Sequence, residues 1–166
     1  MTRIILLLAG LALSGLISAA DQTTIYLVRH AEKVDSSTSS DLTDVGKARA
    51  KTFARMLHDK NLSHIFSTPF VRTKNTAAPT AHEHGLSIEE YDPDDGIGLV
   101  EHLKTLDEVI LVTGHSNTIP GLVNLLTGES FSDLDERVYD KVYVVTLEQG
   151  EYTKLEILHT SPRTPL

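Results

Sequence analysis

Residues 24–30 read Thr-Ile-Tyr-Leu-Val-Arg-His. The first five are strand formers with no polar/apolar alternation, the pattern of a strand covered on both faces, as in a parallel sheet. Charge arrives at its end, with Arg29 beside His30. A second run, Val109 to Thr113 (VILVT), has the same character and ends in Gly114-His115. Ligands of an open α/β sheet bind outside the carboxyl ends of its strands. Two buried strands that both deliver basic side chains at those ends therefore decide the fold.

Working outward, the remaining elements alternate. A polar Ser/Asp loop covers 34–41, and a helix follows over 44–58 with Thr43 as its N-cap. Residues 64–67 form a short second strand. Pro69 fits the first turn of the next helix, which runs to His84 and stops at Gly85. Residues 87–91 are a weak third strand, 92–96 an acidic turn, and 97–106 a third helix. A helix over 117–126 follows the VILVT strand. Strands over 138–147 and 152–159 are joined by a turn at 148–150. This order predicts a three-layer α/β/α sandwich with a mostly parallel central sheet. No linker interrupts it, so 21–166 reads as one domain, with a loose tail from Ser161.

Residues 1–20 are different. Met1-Thr2-Arg3 is a short basic start, Ile4 to Ile17 is almost wholly apolar, and Ser18-Ala19-Ala20 supplies small residues for cleavage. This is the pattern of a signal peptide, so the chain is expected to be secreted or periplasmic. The apolar run is shorter than the roughly 20 residues of a membrane span, and no membrane association is expected after cleavage. There is no Cys, so an exported fold must rest on packing alone. The net charge is −8, and it becomes −9 without Arg3. Such a chain is a poor nucleic-acid binder, since that binding runs on release of counterions by cationic side chains.

Against this acidic background the basic residues at the strand ends are conspicuous. Arg29-His30 ends the first strand. Arg72 stands one turn into the helix after Ser67-Thr68-Pro69, and His115 ends the VILVT strand. If these strands are neighbours, two Arg and two His converge, and a compact anion such as phosphate is the matching ligand. Phosphoryl transfer needs an in-line nucleophile and positive charge over the equatorial oxygens. Arg29 and Arg72 offer planar forks for those oxygens, and His115 a further donor. His30 is the candidate nucleophile. Nearby cations disfavour its protonated form, and a backbone carbonyl on its other nitrogen would set the tautomer. Asn117, at the start of the next helix, is a further substrate-binding candidate, beside backbone N–H groups that suit an anion.

These residues stand in four motifs. They are Arg29-His30-Ala31-Glu32, Leu42-Thr43-Asp44-Val45-Gly46, the run Ser67-Thr68-Pro69-Phe70-Val71-Arg72-Thr73-Lys74-Asn75-Thr76-Ala77, and Gly114-His115. In this order the chain resembles the histidine phosphatase superfamily, in its phosphoglycerate-mutase-like branch, collinearly from about Thr23 to Leu126. The resemblance implies a phosphatase with His30 as nucleophile and Arg29, Arg72 and His115 as the phosphate pocket. It implies no metal and no other cofactor. Its substrate would be a phosphorylated small molecule or a phosphoprotein. Many members use a Glu or Asp after the third strand to protonate the leaving oxygen. Asp95 is the first choice here and Glu101 the second. The chain lacks the long insertions of mutases and phytases and looks closer to the compact branch that includes protein-phosphohistidine phosphatases.

Competing readings attach to several of these residues. Arg29 could pair structurally with Glu32. Ser116 lacks the second Gly of a nucleophile elbow, and its hydroxyl or the Asn117 side chain is better suited to cap the helix. His82, His84 and His102 invite a metal site, but His82 and His84 would project about 200° apart on a helix. Asp92-Pro93-Asp94-Asp95-Gly96 reads as a turn rather than a calcium loop. Tyr139, Tyr143 and Tyr152 are expected in the closing strands. Beside a phosphatase stand a non-catalytic phosphate-binding module and a metallohydrolase built on the His82 region.

Overall fold

The computed structural model describes residues 22–163, so the leader expected over 1–20 lies outside the described residues. Ten elements follow in chain order: β1 (Gln22–Arg29), α1 (Asp44–Leu57), β2 (His64–Ser67), α2 (Val71–His84), β3 (Glu89–Glu90), α3 (Gly96–Leu103), β4 (Val109–Gly114), α4 (Thr118–Thr127), β5 (Lys141–Glu148) and β6 (Glu151–His159). The strands make one six-stranded sheet in the order β3-β2-β4-β1-β5-β6. β3, β2, β4 and β1 run parallel, while β5 and β6 are antiparallel to their neighbours. The expected mostly parallel sheet is therefore present, closed on one side by a hairpin.

The absence of alternation in β1 and β4 is explained by cover on both faces. Ile25, Leu27, Ile110 and Val112 face α3 and α4. Tyr26, Val28 and Leu111 face α1 and α2, where Phe53, Leu57, Ala77 and Ala81 pack against them. Parallel pairing sets Arg29 opposite Gly114, and Ser67 opposite Thr113. The three strand ends expected to share a site are thus neighbours in one row.

Two glycines permit close approach there. Thr43 caps α1 by accepting from Gly46 N–H at 3.0 Å. A Cβ on Gly46 would collide with the Glu32 carbonyl, so this turn of α1 lies directly on the segment after His30. A Cβ on Gly114 would stand 2.7 Å from both the Thr118 and Tyr91 hydroxyls.

Several boundaries differ from expectation. α2 begins at Val71 with Phe70 as its N-cap, so Pro69 precedes the helix rather than opening it. β3 is only two residues long and exposed, as befits an edge with one partner. α3 ends at Leu103, three residues early. β5 begins at Lys141 rather than at 138, because the carbonyls of Asp135, Glu136 and Val138 face Arg29 instead of a neighbouring strand. Tyr139 consequently lies in the loop before β5, while Tyr143 and Tyr152 are in the closing strands. The start of the tail is held, since Arg49 donates to Thr160 Oγ1 at 2.8 Å and to the Pro162 carbonyl at 3.2 Å.

Candidate active site

His30 follows β1 directly, and its backbone N–H continues the β1–β4 ladder by donating to Gly114 O at 2.8 Å. The residue is 2% exposed. Its Nδ1–H donates to the Ala31 carbonyl at 2.8 Å, and since a carbonyl only accepts, Nε2 is left with its lone pair. Burial is the main force holding the imidazole pKa down at about 3, with Arg29, His115 and Arg72 adding to it against the Ala31 bond. Ala31 is fixed from α2, its N–H donating to Thr76 Oγ1 at 2.9 Å. The Thr of the α2 motif thus secures the segment that carries His30.

The Arg29 guanidinium is turned largely toward the protein. Nη1 donates to the carbonyls of Asp135, Glu136 and Val138 at 3.0–3.1 Å. Nη2 donates to Glu136 Oε2 at 2.9 Å, and the plane lies 4.3 Å over the Tyr139 ring. The fork expected to be free for a ligand is therefore closed on the 135–138 loop. Its Nε is buried without a hydrogen-bond partner, as is the Nε of Arg72. Two orphaned donors from two cations are what an anion would satisfy. The pairing of Arg29 with Glu32 is overturned, since Glu32 receives Arg49 through three bonds of 2.7–3.0 Å.

Arg72 projects from the first turn of α2, its guanidinium 4.6 Å from the Phe70 ring. It reaches the Ser37 and Thr38 carbonyls only at 3.4 and 3.3 Å. Its Nη2 donates to His115 Nδ1 at 3.4 Å. Nε2–H of His115 then donates to Thr68 Oγ1 at 3.0 Å, which in turn donates to Thr73 Oγ1 at 2.9 Å. Burial first, then Arg72, Arg29 and Lys33, push His115 down to about 4. The His30 and His115 rings stand edge to face with centroids 5.5 Å apart. The structure thus assembles Arg29, His30, Arg72 and His115. Both nitrogens of His115 are engaged within the protein, where a donor for a ligand had been expected.

The other candidates are not assembled with them. Asp95 is exposed and caps α3, accepting from Gly98 N–H at 2.9 Å, so its carboxylate faces a helix end. Glu101 is exposed on α3. Asn117 is exposed and makes no cap hydrogen bond, because its own backbone is already helical (φ −96°, ψ −43°). Neither it nor Ser116 caps α4. Thr118 Oγ1 accepts from His115 N–H at 2.8 Å instead, and the Ser116 hydroxyl donates to Glu136 Oε1 at 3.1 Å. Among the described residues no group of three or more His, Asp or Glu is arranged to hold a metal. In the acidic turn Asp94 N–H donates to Asp92 Oδ1 at 2.9 Å, an Asx turn.

Glu136 and Tyr139 were not found from the sequence. The Glu136 carboxylate bridges Arg29, Ser116 and Lys33, the last with Nζ at 3.6 Å. The Tyr139 ring backs Arg29 and lies 6.1 Å from the His30 ring. Glu136 is one of several polar residues after α4 with nothing in the sequence to single it out, and Tyr139 was expected in a closing strand.

The family model of the histidine phosphatase superfamily (branch 1) matches residues 25–95. The chain is 33% identical over 82 residues to Uncharacterized protein Rv0525 of Mycobacterium tuberculosis, covering 45% of this chain and 40% of that relative's length. Among solved structures, the protein histidine phosphatase SixA complexed with tungstate superposes with a TM-score of 0.71 at 20% identity, over 82% of this chain and 96% of that one. Mycobacterial glucosyl-3-phosphoglycerate phosphatase Rv2419c superposes at 0.66 and 11% identity, over 83% and 98%. Phosphoglycerate mutase from Bacillus anthracis superposes at 0.65 and 15%, over 84% and 94%. The superpositions establish a phosphoglycerate-mutase-like fold.

Proposed function

We infer that this chain, with the histidine phosphatase superfamily's motifs and fold, is an exported, metal-independent phosphatase that hydrolyses phosphomonoesters through a phosphohistidine on His30. The observation that carries this reading is the state of His30, a buried neutral imidazole with Nδ1–H on the Ala31 carbonyl and Nε2 free. Nε2 attacks phosphorus in line with the ester oxygen. The P–O bond breaks, and the leaving oxygen takes a proton from solvent water. The buried Nε atoms of Arg29 and Arg72 are the donors for the equatorial oxygens. Water then attacks the phosphohistidine, the P–N bond breaks, and phosphate leaves with His30 neutral again.

A second reading takes its substrate from SixA, a protein histidine phosphatase that superposes over 82% of this chain and 96% of that one. Here the substrate is a phosphohistidine on a protein. A phosphoramidate nitrogen leaves more readily than an alkoxide, and this suits a site where neither Asp95 nor Glu101 reaches the cluster.

The test is release of phosphate from an aryl phosphate by residues 21–166, with and without EDTA, beside His30→Ala. Release that resists EDTA and vanishes in the variant is expected. Release that survives His30→Ala would sink the mechanism, and loss to EDTA alone would favour the metallohydrolase. A phosphohistidine-bearing protein run in parallel separates the two substrate readings. Absence of turnover with both donors, and of acid-labile phosphate on His30, would leave a binding module.

A further inference from the structure

Glu136 stands where three cations converge. Its Oε2 lies 2.9 Å from Arg29 Nη2 and 3.6 Å from Lys33 Nζ, and its Oε1 accepts from Ser116 at 3.1 Å. It also acts on Arg72, offsetting the effects of burial and Arg29 that disfavour that guanidinium's charge. Without a ligand these cations repel one another, and Glu136 is the counter-charge that quiets them. A phosphate dianion taken bidentately along one edge of the Arg29 guanidinium would use Nε, which has no partner, together with Nη2, the nitrogen that Glu136 holds.

We propose that Glu136 is a resident anion of the site, which the phosphate group of a substrate must displace. This deepens the phosphatase reading and rests on it for the ligand. The geometry supplies the means. Arg29 Nη1 pins the loop by the carbonyls of residues 135, 136 and 138, so the backbone stays in place. The Glu136 side chain is 67% exposed and leaves by rotating into solvent, with no loop opening. Binding of phosphate and withdrawal of Glu136 are then one exchange of anions. The affinity for phosphate is lowered by the free energy of the contacts that Glu136 gives up. Once displaced, the carboxylate remains on the rim and repels a dianion from there as well.

The test is binding of inorganic phosphate, by calorimetry at fixed ionic strength, to wild type, Glu136→Gln, Glu136→Ala and Asp135→Asn. Gln keeps the shape of Glu136 without its charge, and Ala removes the side chain. The Asp135 carboxylate lies next in sequence but is held by Arg137, at 2.9 Å, so Asp135→Asn makes the same change in net charge at a carboxylate that acts on Arg29 only through space. Both Glu136 variants are expected to bind phosphate on the order of tenfold tighter, the scale of a partly exposed ion pair plus like-charge repulsion. Asp135→Asn is expected to change it less than about twofold, by remote charge alone. Unchanged, weaker or absent binding in the Glu136 variants would overturn the proposal, as would an equal gain in Asp135→Asn. Tighter binding without any turnover would support the resident anion and count against the phosphatase. Turnover with unchanged phosphate affinity would do the reverse.

Discussion

Arg29 shows how one side chain serves both fold and site. Its Nη1 holds three carbonyls of the loop before β5, and its Nη2 holds Glu136. Lysine keeps the charge but has no planar fork and a single nitrogen, so it cannot span these acceptors. Arg29→Lys is therefore expected to cost about 2–3 kcal/mol, the range for losing hydrogen bonds from a charged donor to buried acceptors. Urea denaturation measures this, and faster amide exchange over 135–140 would locate it. Arg72→Lys is the contrast. Arg72 reaches its carbonyls only at 3.3–3.4 Å, so that change should leave stability within about 0.5 kcal/mol while lowering turnover. Equal stability losses for the two would mean that the Arg29 clasp contributes nothing particular.

At the scale of elements, the first turn of α1 is the support on which the segment after His30 rests. Thr43 satisfies the Gly46 amide, and the absence of a side chain at Gly46 lets α1 lie against the Glu32 carbonyl. Removing the cap by Thr43→Ala is expected to cost about 1 kcal/mol. Gly46→Ala must move backbone against backbone and is expected to cost about 2–3 kcal/mol, the upper range for overpacking. It should also lower turnover, since Glu32 lies two residues from His30. Chemical denaturation of both variants checks the ranking. A Gly46→Ala protein as stable and active as wild type would show that α1 can slide. The same contact explains the spacing of Thr43 and Gly46 in this chain, since both serve one junction.

For the whole molecule, the buried imidazoles set a dependence on pH. His30 and His115 are held at about 3 and about 4 in the fold, against about 6.5 in an unfolded chain. Between those values the unfolded state binds more protons, so stability rises with pH there and falls as pH drops from about 6.5 toward 4. Melting temperature is expected to be level above pH 7 and to decline on acidification before carboxylates protonate. Replacing His30 by Asn should flatten the decline between pH 6.5 and 5, as read by calorimetry in a buffer without phosphate. An unchanged slope would mean that His30 charges freely in the fold. Burial at this depth follows from the arrangement of the chain as a whole, and so does the limit of what could be read from sequence. Element type and order were legible because they rest on local regularities. The unbroken apolar runs of β1 and β4, Thr43 at a cap and Gly85 at a helix stop each express the chemistry of a few adjacent residues. Placement of Arg29, His30, Arg72 and His115 at strand ends and a helix start followed from the same order, since parallel strands joined by helices bring their carboxyl ends to one edge. The sequence could not say which way the Arg29 fork turns, that Glu32 belongs to Arg49, that Asp95 caps α3, or that Glu136 and Tyr139 complete the site. The partners of Arg29 lie up to 110 positions from it, at Tyr139. They meet only when the 131–140 loop closes over the sheet, and no local periodicity records that closure. The sequence by itself determined the layers of this protein and the residues at their rim. The tertiary structure decided which of those charges face one another, because that depends on how loops distant in the chain fill the space above the strand ends.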